Sequence, residues 1–126
     1  MAVYIEYGGQ VSANDQRVLL VDDDLTILTI LEWGLKDYFM LLTARDPHQA
    51  IVLAQEHVLH AVVSDYMMPG KNGHWVLEEL AREQPTCRRV LMSSGVVPAA
   101  KAGVVQRFFA KPVDMQGLIA HLQKTV

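Results

Sequence analysis

The chemistry legible in this chain sits in Asp22-Asp23-Asp24, in a lone Asp65 within the stretch VVSDYMMPG (62–70), in Ser94, and in Lys111 ahead of Pro112. Carboxylates forced together repel, and each raises the pKa of the others unless a cation lies among them. A hard divalent ion removes that conflict. Mg²⁺ suits a site with few protein oxygens, because it keeps several of its ~6 ligands as water or phosphate. Lys111 adds a mobile point charge and Ser94 a hydroxyl donor. A metal, an ammonium and a hydroxyl around one carboxylate are suited to stabilising charge on a transferring phosphoryl group, with Asp65 as the nucleophile. The Pro69-Gly70 turn is expected to lift that carboxylate out of its strand end toward solvent, within reach of a phosphodonor.

These residues must be positioned by the elements before them. Residues 18–21 read as a buried strand, after which Leu25, Leu28, Ile30, Leu31 and Leu35 recur at helical spacing. Residues 40–43 form a second strand, and Pro47 after Asp46 opens a helix running to about Glu56. Residues 61–64 make a third strand; Trp75, Val76, Leu77 and Leu80 lie on a helix that ends before Pro85; residues 89–93 and 107–110 are strands four and five. A last helix begins near Asp114 and carries Leu118, Ile119 and Leu122. Continuous apolar strands interleaved with helices predict an α/β domain, a doubly wound parallel sheet of five strands covered on both faces. Ligands of such sheets bind beyond the carboxyl ends of the strands, where Asp22–24, Asp65, Ser94 and Lys111 all fall.

Composition narrows the classes. A chain of 126 residues, 51% hydrophobic and 20% charged, is suited to one folded domain. The net charge of −3 and the scattered Lys and Arg give no positive stripe for nucleic acid, so direct nucleic acid binding by this domain is not expected. No run approaches the ~20 apolar residues of a membrane span, and the start of the chain lacks a secretory pattern, which predicts a cytoplasmic protein. Residues 1–15, with Gly8-Gly9, Ser12, Asn14 and Asp15, read as a flexible tail, leaving 16–126 as the domain. The single Cys87 has no disulfide or zinc partner and is expected to pack. Histidines 48, 57, 60, 74 and 121 share no metal-ligand spacing, and Trp33 and Trp75 are expected to pack in the core or a groove.

The ordered set LLVDDD (19–24), VVSDYMMPGKNG (62–73), VLMSSG (90–95) and FFAKPV (108–113) resembles the receiver domain of two-component response regulators, chemotaxis-regulator-like in plan. The resemblance implies a flavodoxin-like strand order 2-1-3-4-5 and transfer of a phosphoryl group to Asp65 from a phosphohistidine on a sensor histidine kinase or a phosphotransfer protein. Asp23 and Asp65 would bind Mg²⁺ with the backbone carbonyl of Met67, and Asp22 through a metal-bound water. Lys111 would pair with phosphoryl oxygens, Ser94 would move to hydrogen-bond one of them, and Phe108 on strand five would turn inward as the hydroxyl leaves; plain core packing is the other role open to Phe108. The Lys111-Pro112 bond is expected to be cis, and a homodimer is a further partner option. The domain would catalyse only its own phosphorylation and dephosphorylation.

The sequence also departs from that pattern. Only 16 residues separate Ser94 from Lys111, which leaves room for a shortened fourth helix of little more than two turns. Met67 and Val96 are unable to orient a hydrolytic water, which predicts a long-lived phosphorylated form. Asp24 adds negative charge near the metal. Two rivals are a haloacid-dehalogenase-type phosphatase, reading DDDLT with Asp22 as nucleophile and Asp24 as acid-base, and a receiver-like binding module that is never phosphorylated.

Overall fold

The computed structural model of the protein describes residues 15–124, so the expected tail lies outside the described residues except for Asp15. From the chain start run β1 (Arg17–Val21), α1 (Leu25–Leu35), β2 (Met40–Ala44), α2 (Pro47–Glu56), β3 (Ala61–Asp65), α3 (Gly73–Glu83), β4 (Arg88–Ser93), β5 (Arg107–Ala110) and α4 (Met115–Gln123). The strands form one parallel sheet in the expected order β2-β1-β3-β4-β5. Among the described residues no helix is long and apolar enough to cross a membrane.

Successive strand side chains point to opposite faces, so one apolar strand feeds two cores. Val18 and Leu20 join Leu28, Leu31 and Leu35 of α1 and Leu118 and Leu122 of α4. Leu19 and Val21 join Ala50 and Ala54 of α2 and Val76, Leu77 and Leu80 of α3. Each such leucine, fully buried, contributes roughly 1.5–3 kcal/mol, which holds the strand ends rigid under the acids. Cys87 packs as expected, and burial pushes its thiol up to about 12 against the pull of the Arg89 charge.

Trp33 departs from expectation: it is 74% exposed. The inward stripe of α1 is Leu28, Leu31 and Leu35, and Trp33, two positions from either of the last two, lies on the far side of the helix.

The shortened fourth helix is absent. Between β4 and β5 the chain runs as bends and a single turn. Pro98 brings no donor, Gly103 adopts φ +80°, and the pairs Val96-Val97 and Val104-Val105 resist helix. Arg89 ties the end of this link to the start of β4. Its buried guanidinium donates to the carbonyls of Val104 (2.9 Å), Gly103 (3.0 Å), Cys87 (2.8 Å) and Pro85 (3.3 Å), while its own N–H donates to Gln106 Oε1 (2.8 Å).

One histidine links this fold to pH. His60 Nδ1 accepts a bond from the Arg17 N–H at 2.9 Å, and burial, then the Arg17 charge, holds the ring below its ordinary 6.5. The unfolded chain therefore binds a proton that the folded chain resists. This contribution is present in full above about pH 6.5 and is lost as pH falls toward the folded value. Thermal melts of His60→Gln between pH 7 and 5 are expected to show a shallower decline than the parent; an identical decline would contradict this assignment.

Candidate phosphoacceptor site

Parallel pairing delivers the charged residues to one edge and continues past the strands to fix them. The Asp22 N–H donates to the Ala44 carbonyl (3.1 Å), the Tyr66 N–H to Met92 (2.8 Å) and the Lys111 N–H to Ser93 (2.9 Å). The Lys111-Pro112 peptide is cis. Lys111 Nζ then bridges two acids, at 2.9 Å from Asp22 Oδ2 and 3.0 Å from Asp65 Oδ1. Carboxylate oxygens of Asp22, Asp23 and Asp65 all lie within 4.8 Å of one another.

The three acids are not equivalent. Asp22 is fully buried and both its oxygens are engaged, Oδ1 by the Asp24 N–H (3.0 Å) and Oδ2 by Lys111. Asp23 is exposed, and its carboxylate is the accessible one. Asp65 is only 6% exposed. The turn therefore does not lift it into solvent as expected; it rests in a recess, because β3 extends through Asp65 itself and its neighbours in β4 continue the pairing beside it.

Electrostatics follow from one ammonium facing three carboxylates. Burial pushes Asp65 above its ordinary 3.8, the Lys111 hydrogen bond pulls it back, and the charges of Asp22 and Asp23 raise it further, with a net rise. For Lys111 burial alone acts downward, but its hydrogen bonds to Asp22 and Asp65 prevail and hold it above 10.5. Three carboxylates around one ammonium leave the site with more negative than positive charge, which a hard divalent cation would balance.

Asp24 has another task. Its carboxylate caps α1, accepting from the N–H groups of Thr26 (2.8 Å) and Ile27 (3.4 Å). That removes it from the metal and from the acid-base role a phosphatase would require. Asp46 and Asn72 cap α2 and α3 in the same manner, whereas Asp114 at α4 makes no side-chain cap bond.

Ser94 lies exposed one residue past β4, and no side-chain hydrogen bond ties it to the acids among the described residues. Its neighbour Ser93 is buried and accepts the Gly95 N–H (3.1 Å). Met67 is 72% and Val96 fully exposed beside the recess. Phe108 is 43% exposed, so it is not core packing; Phe109 fills that place.

Two contributors escaped the sequence reading. The Arg45 guanidinium reaches from the end of β2 to the Asp23 carbonyl at 3.4 Å, and its place just past a strand end was the available signal. Gly73 starts α3 against the acid: a Cβ there would strike the Asp65 carbonyl oxygen and lie 2.9 Å from Tyr66 Cα, and the Gly73 N–H donates to Tyr66 O at 2.8 Å. Its signal lay inside the motif VVSDYMMPGKNG.

Known proteins resemble this chain in sequence and in fold. The chain is 30% identical over 121 residues to the transcriptional regulatory protein HptR of Staphylococcus aureus, covering 87% of this chain and 47% of that protein. It is 30% identical over 114 residues to the probable transcriptional regulator ycf27 of Cyanophora paradoxa, at 87% and 48% coverage. The chain thus spans about half the length of these curated relatives. Among solved structures, the signal receiver domain of an HD domain-containing protein from Pseudomonas fluorescens Pf-5 superposes with a TM-score of 0.80 at 28% identity, covering 86% of this chain and 91% of that one. The Vibrio cholerae chemotaxis protein CheY4 shares the fold at a TM-score of 0.78 and 23% identity, with 88% and 98% covered. The model of the response regulator receiver domain matches residues 18–123. With the recessed acid, the bridging lysine and this match in agreement, the chain belongs to the receiver domains of two-component response regulators.

Proposed function

We propose that the chain accepts a phosphoryl group on Asp65 from the phosphohistidine of a sensor histidine kinase or phosphotransfer protein in the cytoplasm. The observation that carries this reading is the Lys111 bridge between Asp22 and Asp65, with Asp23 beside them. An Asp65 carboxylate oxygen attacks phosphorus, the P–N bond to the donor imidazole breaks, and its electron pair returns to the ring. Lys111 exchanges its bond to Asp65 for one to a phosphoryl oxygen, staying anchored by Asp22. Asp23, Asp65 and the Met67 carbonyl would hold Mg²⁺, with Asp22 acting through water; when bound, the ion neutralises developing oxygen charge. The phosphoryl group adds about −2 charge and strong acceptors, which draws Ser94 inward and frees space for the exposed Phe108 ring to follow. A cavity of about 110 Å³ between α1 and the segment after β5, lined by Ile27, Ile30, Leu31, Pro112, Val113 and Met115 beside Lys111, supports a donor helix docking next to the acid.

The test is incubation with acetyl phosphate and Mg²⁺, then borohydride reduction and peptide mapping. Label on Asp65 is expected; label on Asp22, or none, would defeat the reading. Because neither Met67 nor Val96 offers a group to orient water, the phosphorylated form is expected to persist for minutes or longer after donor removal. Decay within seconds would contradict that.

A further inference from the structure

Along the carboxyl edge of the sheet, the strand order sets the order of charges. Arg45 follows β2, Asp22 and Asp23 follow β1, Asp65 ends β3, Ser94 follows β4 and Lys111 follows β5. The acids thus lie between two cations, one on either flank. Lys111, from the β5 side, crosses to Asp22 and Asp65 and is committed to both. It does not reach Asp23, whose exposed carboxylate has no ion pair among the described residues.

The opposite flank belongs to Arg45. Val21 and Ala44 are in register, and the Asp22 N–H donates to the Ala44 carbonyl at 3.1 Å, so the residue after β2 stands beside the acids that follow β1. Its backbone is fixed there, because the Arg45 N–H donates to Gln49 Oε1 at 2.8 Å. Its guanidinium donates to the Asp23 carbonyl at 3.4 Å, a long bond that spends one of its five donors. The acid next to it in sequence, Asp46, is occupied in capping α2 through the Gln49 N–H at 2.8 Å. Among the described residues no carboxylate pairs with Arg45. A fixed charge without an ion-pair partner, held against the loop that carries the accessible acid, acts on whatever charge enters beside Asp23.

That action has opposite signs for the two species the site receives. The Arg45 charge repels a divalent ion held by Asp23 and Asp65, and it attracts the anionic oxygens of a phosphodonor approaching Asp65. On the reading that Asp65 accepts the phosphoryl group, we propose that Arg45 is a positioning residue of the phosphoacceptor site, drawing the donor's phosphoryl oxygens toward the Asp23 side while holding down the affinity for the ion. Because the guanidinium is exposed, its influence is several-fold and weakens with salt.

The test compares the whole parent chain with Arg45→Gln and with Arg45→Lys, which keeps the charge; neither change removes the backbone bond to Gln49. Calorimetric titration with Mg²⁺ at low ionic strength gives the ion's affinity, and the initial rate of labelling by acetyl phosphate at saturating Mg²⁺ gives the donor's approach. Arg45→Gln is expected to bind Mg²⁺ roughly twofold more tightly and to take label roughly threefold more slowly, with Arg45→Lys close to the parent in both and with both differences shrinking in about 0.5 M sodium chloride. A guanidinium that only shaped the loop would, once lost, weaken the ion and slow the labelling together. Looser Mg²⁺ binding in Arg45→Gln, a labelling rate equal to the parent's, or differences undiminished by salt would each overturn the assignment. The titration needs no phosphorylation, so a parent that takes no label would sink the phosphoacceptor reading while the ion's affinity alone judges Arg45.

Discussion

Asp65→Asn is expected to remain folded, to lose acceptance of label from acetyl phosphate entirely, and to melt at a higher temperature than the parent when no divalent ion is present. The loss is total because the amide is not a nucleophile and no other acid can take its place: Asp22 has both oxygens engaged and is buried, and Asp23 lacks contact with Lys111. The gain in stability has the sign of the Asp65 shift. Its folded pKa stands above the ordinary 3.8, chiefly through burial. Between those values the native state binds more protons than the unfolded chain, so stability falls as pH rises through that window, and at neutral pH the ionised group works against folding. An amide of the same shape removes that penalty while Lys111 keeps Asp22. Divalent ion should reverse the ranking, since an ion at about a hundred times its dissociation constant stabilises the parent by about 2.7 kcal/mol and the variant far less. Melting curves with and without Mg²⁺ decide it: a variant that melts below the parent in chelator, or that still takes label, refutes the account of the site.

Arg89→Met is expected to cost about 3 kcal/mol, a fall of roughly 10 °C in Tm, with the loss concentrated between β4 and β5. Methionine fills much of the volume of the arginine stem, so the effect isolates the guanidinium. That group bonds four carbonyls, Pro85 and Cys87 before β4 and Gly103 and Val104 before β5, and so ties the helix-free link to the start of β4. Hydrogen exchange should quicken at residues 101–106 and remain slow in β1 and β3. A loss under about 1 kcal/mol, or exchange that quickens evenly over the sheet, would show that the segment holds itself in place.

Much of this molecule was determined by the sequence alone, because the signals were local and repeated. Apolar runs long enough to be covered on both faces fixed a parallel sheet, and a parallel sheet places every strand end at one edge, so Asp22, Asp23, Asp65 and Lys111 were bound to meet whatever the side-chain details. Asp46 ahead of Pro47 marked a helix start because its carboxylate satisfies an orphan N–H three residues on.

What depended on distant neighbours was settled only by tertiary structure. Apolar residues surround α1, and which of them faces inward is chosen by the sheet and α4, leaving Trp33 outside. Phe108 and Phe109 are chemically identical neighbours, and only the helix packed on one face of β5 tells them apart. The link from β4 to β5 has breakers and apolar pairs in near balance, and a buried arginine more than ten residues from Val104 tips it away from helix. The depth of Asp65 and the commitment of Asp24 to a helix cap were equally hidden, since a charged residue's pattern in sequence records neither the burial nor the bonding partners that define what its carboxylate can do.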